Sequence, residues 1–262
     1  MAFAVGASAQ KLPLWEGGIG VGVIDFPDYR GADERQTLVL PIPYFIYRGD
    51  FLKIDRQRIR GLFLKSRYAE LDVSVNAVPV RTDGNAARRG MPDLDPLFEL
   101  GPSVNVHLWN TQRIKLDLRM PVRAAFATDF TDIDYVGWTF EPVLNVDFPN
   151  RGPGGGWNLG LAAGPVFSDG SFNDYFYQVP PRFATAQRPA FDAEAGYSGS
   201  QFVAALSKRF PRFWAGAFLR YEVLNGATFE DSPLVKNKDF FTAGVAIAWV
   251  IGQSKVRVEA FE

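Results

Sequence analysis

From Gln112 to Thr128 the chain alternates apolar and polar side chains almost residue by residue. Ile114, Leu116, Leu118, Met120, Val122, Ala124 and Phe126 fall on one face, and Arg113, Lys115, Asp117, Arg119 and Arg123 on the other. A helix would scatter these positions around its axis, whereas a strand sends successive side chains to opposite sides. The run is also long. Ordinary strands average about five or six residues, while tilted membrane strands need about 9–11.

The same alternation recurs along the chain. In 96–109, Phe98, Leu100, Val104, Val106 and Leu108 oppose Glu99, Ser103, Asn105 and His107. In 135–148, Val136, Trp138, Phe140, Leu144, Val146 and Phe148 oppose Thr139, Glu141, Asn145 and Asp147. In 213–224, Phe213, Ala217, Leu219, Tyr221 and Val223 oppose Arg220 and Glu222, and 68–78 behaves alike. Segments 14–25, 36–48, 157–168, 191–210 and 239–252 are strand-like too, and several have a second face of Gly and Ala. Small inward residues suit a narrow barrel filled by the larger side chains of other strands. The hydrophobic share is 47%, yet mean hydropathy is only -0.07. Apolar and polar residues are therefore finely mixed, and no run approaches the roughly 18 apolar residues of a membrane helix.

Connections alternate between tight (48–50, 109–111, 150–156, 211–212) and long (26–35, 79–95, 128–134, 169–190, 225–238). Short turns on one rim and long loops on the other mark outer-membrane barrels. The expected fold is all-β: an antiparallel transmembrane β-barrel with short periplasmic turns and longer extracellular loops. Its twelve strands are 14–25, 36–48, 50–56, 60–66, 67–78, 96–109, 111–127, 135–148, 157–168, 191–210, 213–224 and 239–251. The count falls to ten if 50–56 and 60–66 form one excursion. An aromatic girdle is expected from Trp15, Tyr44, Phe45, Tyr47, Phe98, Trp109, Trp138, Phe148, Trp157, Trp214 and Trp249. Ala7-Ser8-Ala9 before Gln10 reads as an export cleavage pattern without its basic start. Residues 1–9 are thus expected to be a signal-peptide remnant or disordered tail, and 10–262 a single barrel domain.

Chemistry-bearing constellations are few. The net charge of -1 argues against nucleic acid as a partner. The absence of cysteine and the single histidine, His107, argue against a zinc site. Ser103, His107 and Glu99 could support acyl transfer, but alternation stacks them along one strand instead of converging them from several. Asp129, Asp132 and Asp134 lack the rest of a calcium loop. Gly152, Gly154, Gly155 and Gly156 lack the Lys-Ser/Thr of a phosphate loop. No catalytic, cofactor or metal residues are expected. The charges Arg113, Lys115, Asp117, Arg119, Arg123, Glu141, Asp147, Arg220 and Glu222 are expected to line the lumen, as a salt-bridged plug in preference to a selectivity lining, because a barrel of ten to twelve strands is narrow.

Several segments, taken together, resemble the MipA/OmpV family of outer-membrane proteins (MltA-interacting protein). They are Pro27-Asp28-Tyr29-Arg30-Gly31-Ala32-Asp33; Leu40-Pro41-Ile42-Pro43-Tyr44; Arg89-Gly90-Met91-Pro92-Asp93-Leu94 with Glu99-Leu100-Gly101-Pro102; Tyr175-Phe176-Tyr177-Gln178-Val179, with Tyr177 where Gly is usual; and Leu224-Asn225-Gly226-Ala227 with Asp231-Ser232-Pro233-Leu234-Val235. Tyr29, Gly31, Gly90, Met91, Asp231, Ser232 and Pro233 are the motif residues of these loops. One departure is the tail 254–262, which runs past the apparent last strand and ends near Phe261. The resemblance implies a non-enzymatic barrel of the cell outer membrane, in contact with its lipid and linking a lytic murein transglycosylase to a murein synthase. A small porin-like channel for polar solutes and a lipid-acting hydrolase are the alternatives.

Overall fold

The computed structural model describes residues 10–48, 52–54, 59–61, 64–66, 68–111, 113–129, 131–149 and 156–260. The proposed leader 1–9, Gly152, Gly154, Gly155 and Phe261 lie outside the described residues. In chain order the elements are β1 (Gln10–Pro13), β2 (Trp15–Pro27), β3 (Arg35–Arg48), β4 (Leu52–Ile54), β5 (Ile59–Gly61), β6 (Leu64–Lys65), β7 (Ala69–Val78), β8 (Leu97–Asn110), β9 (Lys115–Thr128), β10 (Ile133–Phe140), β11 (Val143–Phe148), β12 (Asn158–Ser168), α1 (Gly170–Tyr177), β13 (Gly196–Arg209), β14 (Phe213–Val223), β15 (Asp239–Gln253) and β16 (Arg257–Ala260).

Among the described residues all strand pairings are antiparallel; the wall strands follow chain order, with β10 and β11 sharing the place between β9 and β12, and β15 pairs β2. β5 pairs β4 while β6 pairs β7. β5 also lies against β7, so the two ends of the sheet meet and the sheet closes into a barrel. β4 and the segment 59–65 are the short third and fourth strands of the twelve expected. No described helix is long and apolar enough to cross a membrane.

The expected strand 135–148 is split into β10 and β11. Pro142 lies at the break, and Pro121 lies opposite on β9, between the β10 and β11 ladders. Proline has no N–H to give a ladder. Gly137 supplies a bulge beside it, at φ 149. A Cβ there would sit 2.3 Å from Asp169 Oδ1 and 2.6 Å from the Phe172 nitrogen. The bulge turns Val136 inward, where it is buried, which corrects its expected outward place. The expected strand 191–210 starts only at Gly196. Phe191 instead forms an isolated bridge with Val179 and packs against loop residues.

The outer wall is apolar: Ile19, Val39, Leu100, Val122, Leu161, Leu219 and Val245 are all exposed. Trp15, Phe45, Trp109, Trp157 and Trp249 ring the short-turn rim. Towards the other rim, outward rings pair across strands as Phe98–Phe126–Tyr135, Phe140–Phe167–Tyr197 and Phe202–Tyr221–Phe241. Two expected girdle members point the other way. Tyr44 is buried inward with Ile46 and Ala248, and Trp214 packs against them. Both fall on the Glu16–Gly18–Gly20 face of the wall, because a one-residue offset in register reverses a side chain. At the same rim β1 and β16 pair into a two-stranded sheet, so the tail is part of the fold at least to Ala260.

The principal hydrophobic core is not in the barrel wall. It consists of loop residues and strand ends at the long-loop rim, among them Tyr29, Val80, Leu94, Phe172, Phe176, Tyr177, Val179, Leu224, Phe229 and Leu234. These loops fold over the mouth as a cap.

Candidate functional site

The lumen and its cap form one layered site. The motif residues build the cap. Tyr29 is buried and its hydroxyl donates to the Leu234 carbonyl at 2.7 Å. Gly31 has φ 92, its carbonyl accepts from the Lys236 and Asn237 N–H groups, and a Cβ on it would meet Leu224 at 3.0 Å. Ser232 Oγ donates to the Tyr177 carbonyl at 2.7 Å. Tyr177 stacks on Phe229 with centroids 3.7 Å apart and donates to the Arg30 carbonyl at 3.0 Å. Met91 packs against the core, Gly90 turns at φ 80 in open space, Pro233 is partly buried, and Asp231 is exposed. Burial pushes the Tyr29 and Tyr177 phenols well above their usual range, and the Tyr175 phenol up to about 12.

Most polar groups buried in the cap have partners; Arg88 Nε is buried without one. Arg88 lies 6.0 Å over the Tyr29 ring and donates to the Phe176 carbonyl at 2.9 Å. Asp28 accepts from Asn85 at 2.8 Å and from Gln36 at 2.9 Å. The short helix α1 is capped by Asp169, whose carboxylate accepts from the Phe172 and Trp138 N–H groups. Arg30, Arg88, Asn85 and Phe229 were missed in the sequence. Their signal, several large side chains inside long loops, does not say where they meet.

Beneath the cap lies a charge network. Arg123 Nε bonds Glu99 at 2.7 Å, and its Nη2 pairs with Glu141 at 2.5 Å. Asn76 donates to Glu99, Gln201 to Glu141, and Arg123 to Ser74. Arg30 reaches down from its loop to Glu222 at 2.7 Å and to the Ser198 carbonyl at 3.0 Å. A buried ion pair holds only when its spare donors and acceptors are also used, and the amides serve that purpose here. A cavity of about 240 Å³ remains between the network and the cap.

Further towards the short turns, Arg119 pairs with Asp147 at 3.5 Å. His107 Nδ1 lies 2.7 Å from Asp117, which faces it across β8 and β9. Glu16 holds both Arg48 and Arg209 at 2.9 Å. Lys115 opens β9 on the same face. Arg113, expected in the lumen, is exposed in the 111–114 turn, where Thr111 Oγ1 accepts from the Arg113 and Ile114 N–H groups. A second cavity of about 670 Å³ occupies the middle of the barrel. Charged side chains therefore fill only part of the lumen.

The three residues weighed for acyl transfer do not converge. Ser103 Oγ bonds Asn105 at 3.2 Å, Glu99 is held by Arg123, and His107 is turned to Asp117. Asp129 caps its own turn, accepting from the Thr131 and Asp132 N–H groups and the Thr131 hydroxyl. These bonds hold its carboxyl down at about 2.

A family model described as MltA-interacting protein MipA matches residues 19–251. No curated protein matches the chain. Similar solved structures include an outer membrane channel from Pseudomonas putida F1, at 12% identity and TM-score 0.47, covering 94% of this chain and 99% of that one. A bacterial polysaccharide outer membrane secretin is 10% identical, with TM-score 0.43 and coverage of 90% and 97%. LpxR from Salmonella typhimurium is 9% identical, with TM-score 0.42 and coverage of 89% and 100%.

Proposed function

We infer function from one premise: this chain belongs to the MltA-interacting protein family, MipA. It is an outer-membrane β-barrel, with an apolar outer wall, aromatic rims and long loops on one side only. We propose that it is a non-enzymatic scaffold of the envelope that engages murein-remodelling enzymes, a lytic transglycosylase and a murein synthase, from the periplasmic side. The family match carries this reading. The β1–β16 sheet supports it, because it adds polypeptide beyond the short turns. Short turns alone offer little of the roughly 1,200 Å² that a stable interface needs.

The channel alternative is disfavoured by the cap and by the Glu99–Arg123–Glu141 network, which lie in series across the lumen. The hydrolase alternative is disfavoured by Ser103, whose hydroxyl bonds Asn105 and not His107. The scaffold reading is tested by affinity capture of murein enzymes from solubilised envelopes. Enrichment by the wild type, and its loss when 254–262 is deleted, is expected; equal recovery with an unrelated barrel as bait would sink it. In planar bilayers no stable conductance steps are expected, and regular steps would restore the channel.

A further inference from the structure

The cavity of about 670 Å³ in the middle of the barrel is unevenly lined. Its volume falls inside the roughly 300–1,000 Å³ of small-molecule sites. One wall is apolar: Leu40 and Ile42 of β3 face inward, and Leu40 is 46% exposed although it points into the lumen. Across the ring, β11 and β12 supply Asn145, Asp147, Gly160 and Ala162. Trp214 lines the side towards the short-turn rim, and its Nε1 is buried without a hydrogen-bond partner.

One cation on this lining stands apart. Arg30, Arg48, Arg119, Arg123 and Arg209 each have a carboxylate within ion-pair distance. Arg220 has none among the described residues, and its Nε is buried with no hydrogen-bond partner. It lines both this cavity and the smaller one above. Glu141 feels its charge, but that carboxylate is already held by Arg123 and Gln201. An unsatisfied guanidinium donor beside a cavity is costly to keep, and an anionic group entering the cavity removes that cost.

We propose that this cavity binds an amphiphile with a single anionic head, a carboxylate or a phosphate monoester. The head pairs with Arg220, and the apolar chain lies along Leu40 and Ile42. Lipid breakdown products and free fatty acids share this chemistry, and the head group tells them apart.

The test is calorimetric titration of the full chain in phosphatidylcholine nanodiscs with octanoate, octyl phosphate and octyltrimethylammonium. Empty nanodiscs account for partition into lipid. Saturable binding of at least one anion is expected, and the anion that binds identifies the source. The cation is expected to show partition only. Arg220→Gln should weaken anion binding by about tenfold or more, the value of a charged hydrogen bond. Ala162→Phe, which fills the cavity from the far wall and leaves Arg220 intact, should abolish binding. Heat-modifiable gel mobility reports whether each variant folds; if Arg220→Gln does not, Ala162→Phe and the anion-over-cation contrast decide. Equal binding of the cation, no saturable binding of either anion, or unchanged affinity in a folded variant would overturn the proposal. None of these outcomes depends on murein enzymes, so the scaffold reading stands or falls separately.

Discussion

Arg123 carries two carboxylates on one guanidinium, and its neighbours satisfy what remains. Arg123→Gln leaves Glu99 and Glu141 buried without their cation. That loss should destabilise the barrel by about 3–5 kcal/mol, read as a lower urea midpoint for unfolding from lipid vesicles; an unchanged midpoint would show that the network is not structural. Tyr29→Phe removes one buried hydrogen bond, to Leu234, and should cost about 1 kcal/mol in the same assay. The cap tyrosines also set a pH limit. Burial pushes the Tyr175 phenol up to about 12 from an ordinary 10.0, so the folded state keeps its proton longer. Its contribution is intact below pH 10 and is lost as pH rises towards 12. Absorbance of ionised phenol should therefore rise late in the wild type and earlier in a cap-disrupted variant. Of the residues in this network, Glu99, Arg123, Glu141 and Glu222 were recognisable from alternation alone. Arg30 was not, because it sits in a loop, where no period tells which way a side chain points.

At the scale of elements, the wall follows the two-residue period wherever the ladder is regular. β8, β9 and β14 present the faces expected of them, and their register comes from matching apolar faces to lipid. Departures sit at identifiable chemistry. Pro121 and Pro142 break one strand into β10 and β11, and Gly137 turns Val136 inward. The same bulge brings Trp138 N to Asp169, which caps α1. Asp169→Ala should cost about 1 kcal/mol in α1. Hydrogen exchange should show faster exchange at 170–177 with the wall strands unaffected; uniform acceleration would mean that the cap and the wall unfold together. α1 itself was not foreseen. Gly170–Tyr177 is too short and too irregular in pattern for helical period to emerge, and the helix is held by its N-cap and by Phe172 and Phe176 in the cap core.

The whole molecule is a barrel with its main apolar core outside the wall, in the loops. Phe176→Ala in that core should cost about 3–5 kcal/mol locally. The expected readout is new protease cleavage within 170–195 from the outer face, with heat-modifiable mobility retained. Cleavage unchanged from wild type would show that the cap does not depend on this packing. The order of the wall strands and the two unequal rims were readable in the sequence, which narrowed the count to twelve or ten. A lipid-facing wall imposes period two on every strand, and short and long connections must alternate around a closed antiparallel ring. The tertiary structure alone decided what the interior contains. Which loops meet over the mouth, which arginine is left without a carboxylate, and where small residues leave a cavity depend on contacts between segments far apart in the chain. Local pattern specifies a side chain's face, and only closure of the ring brings the faces together.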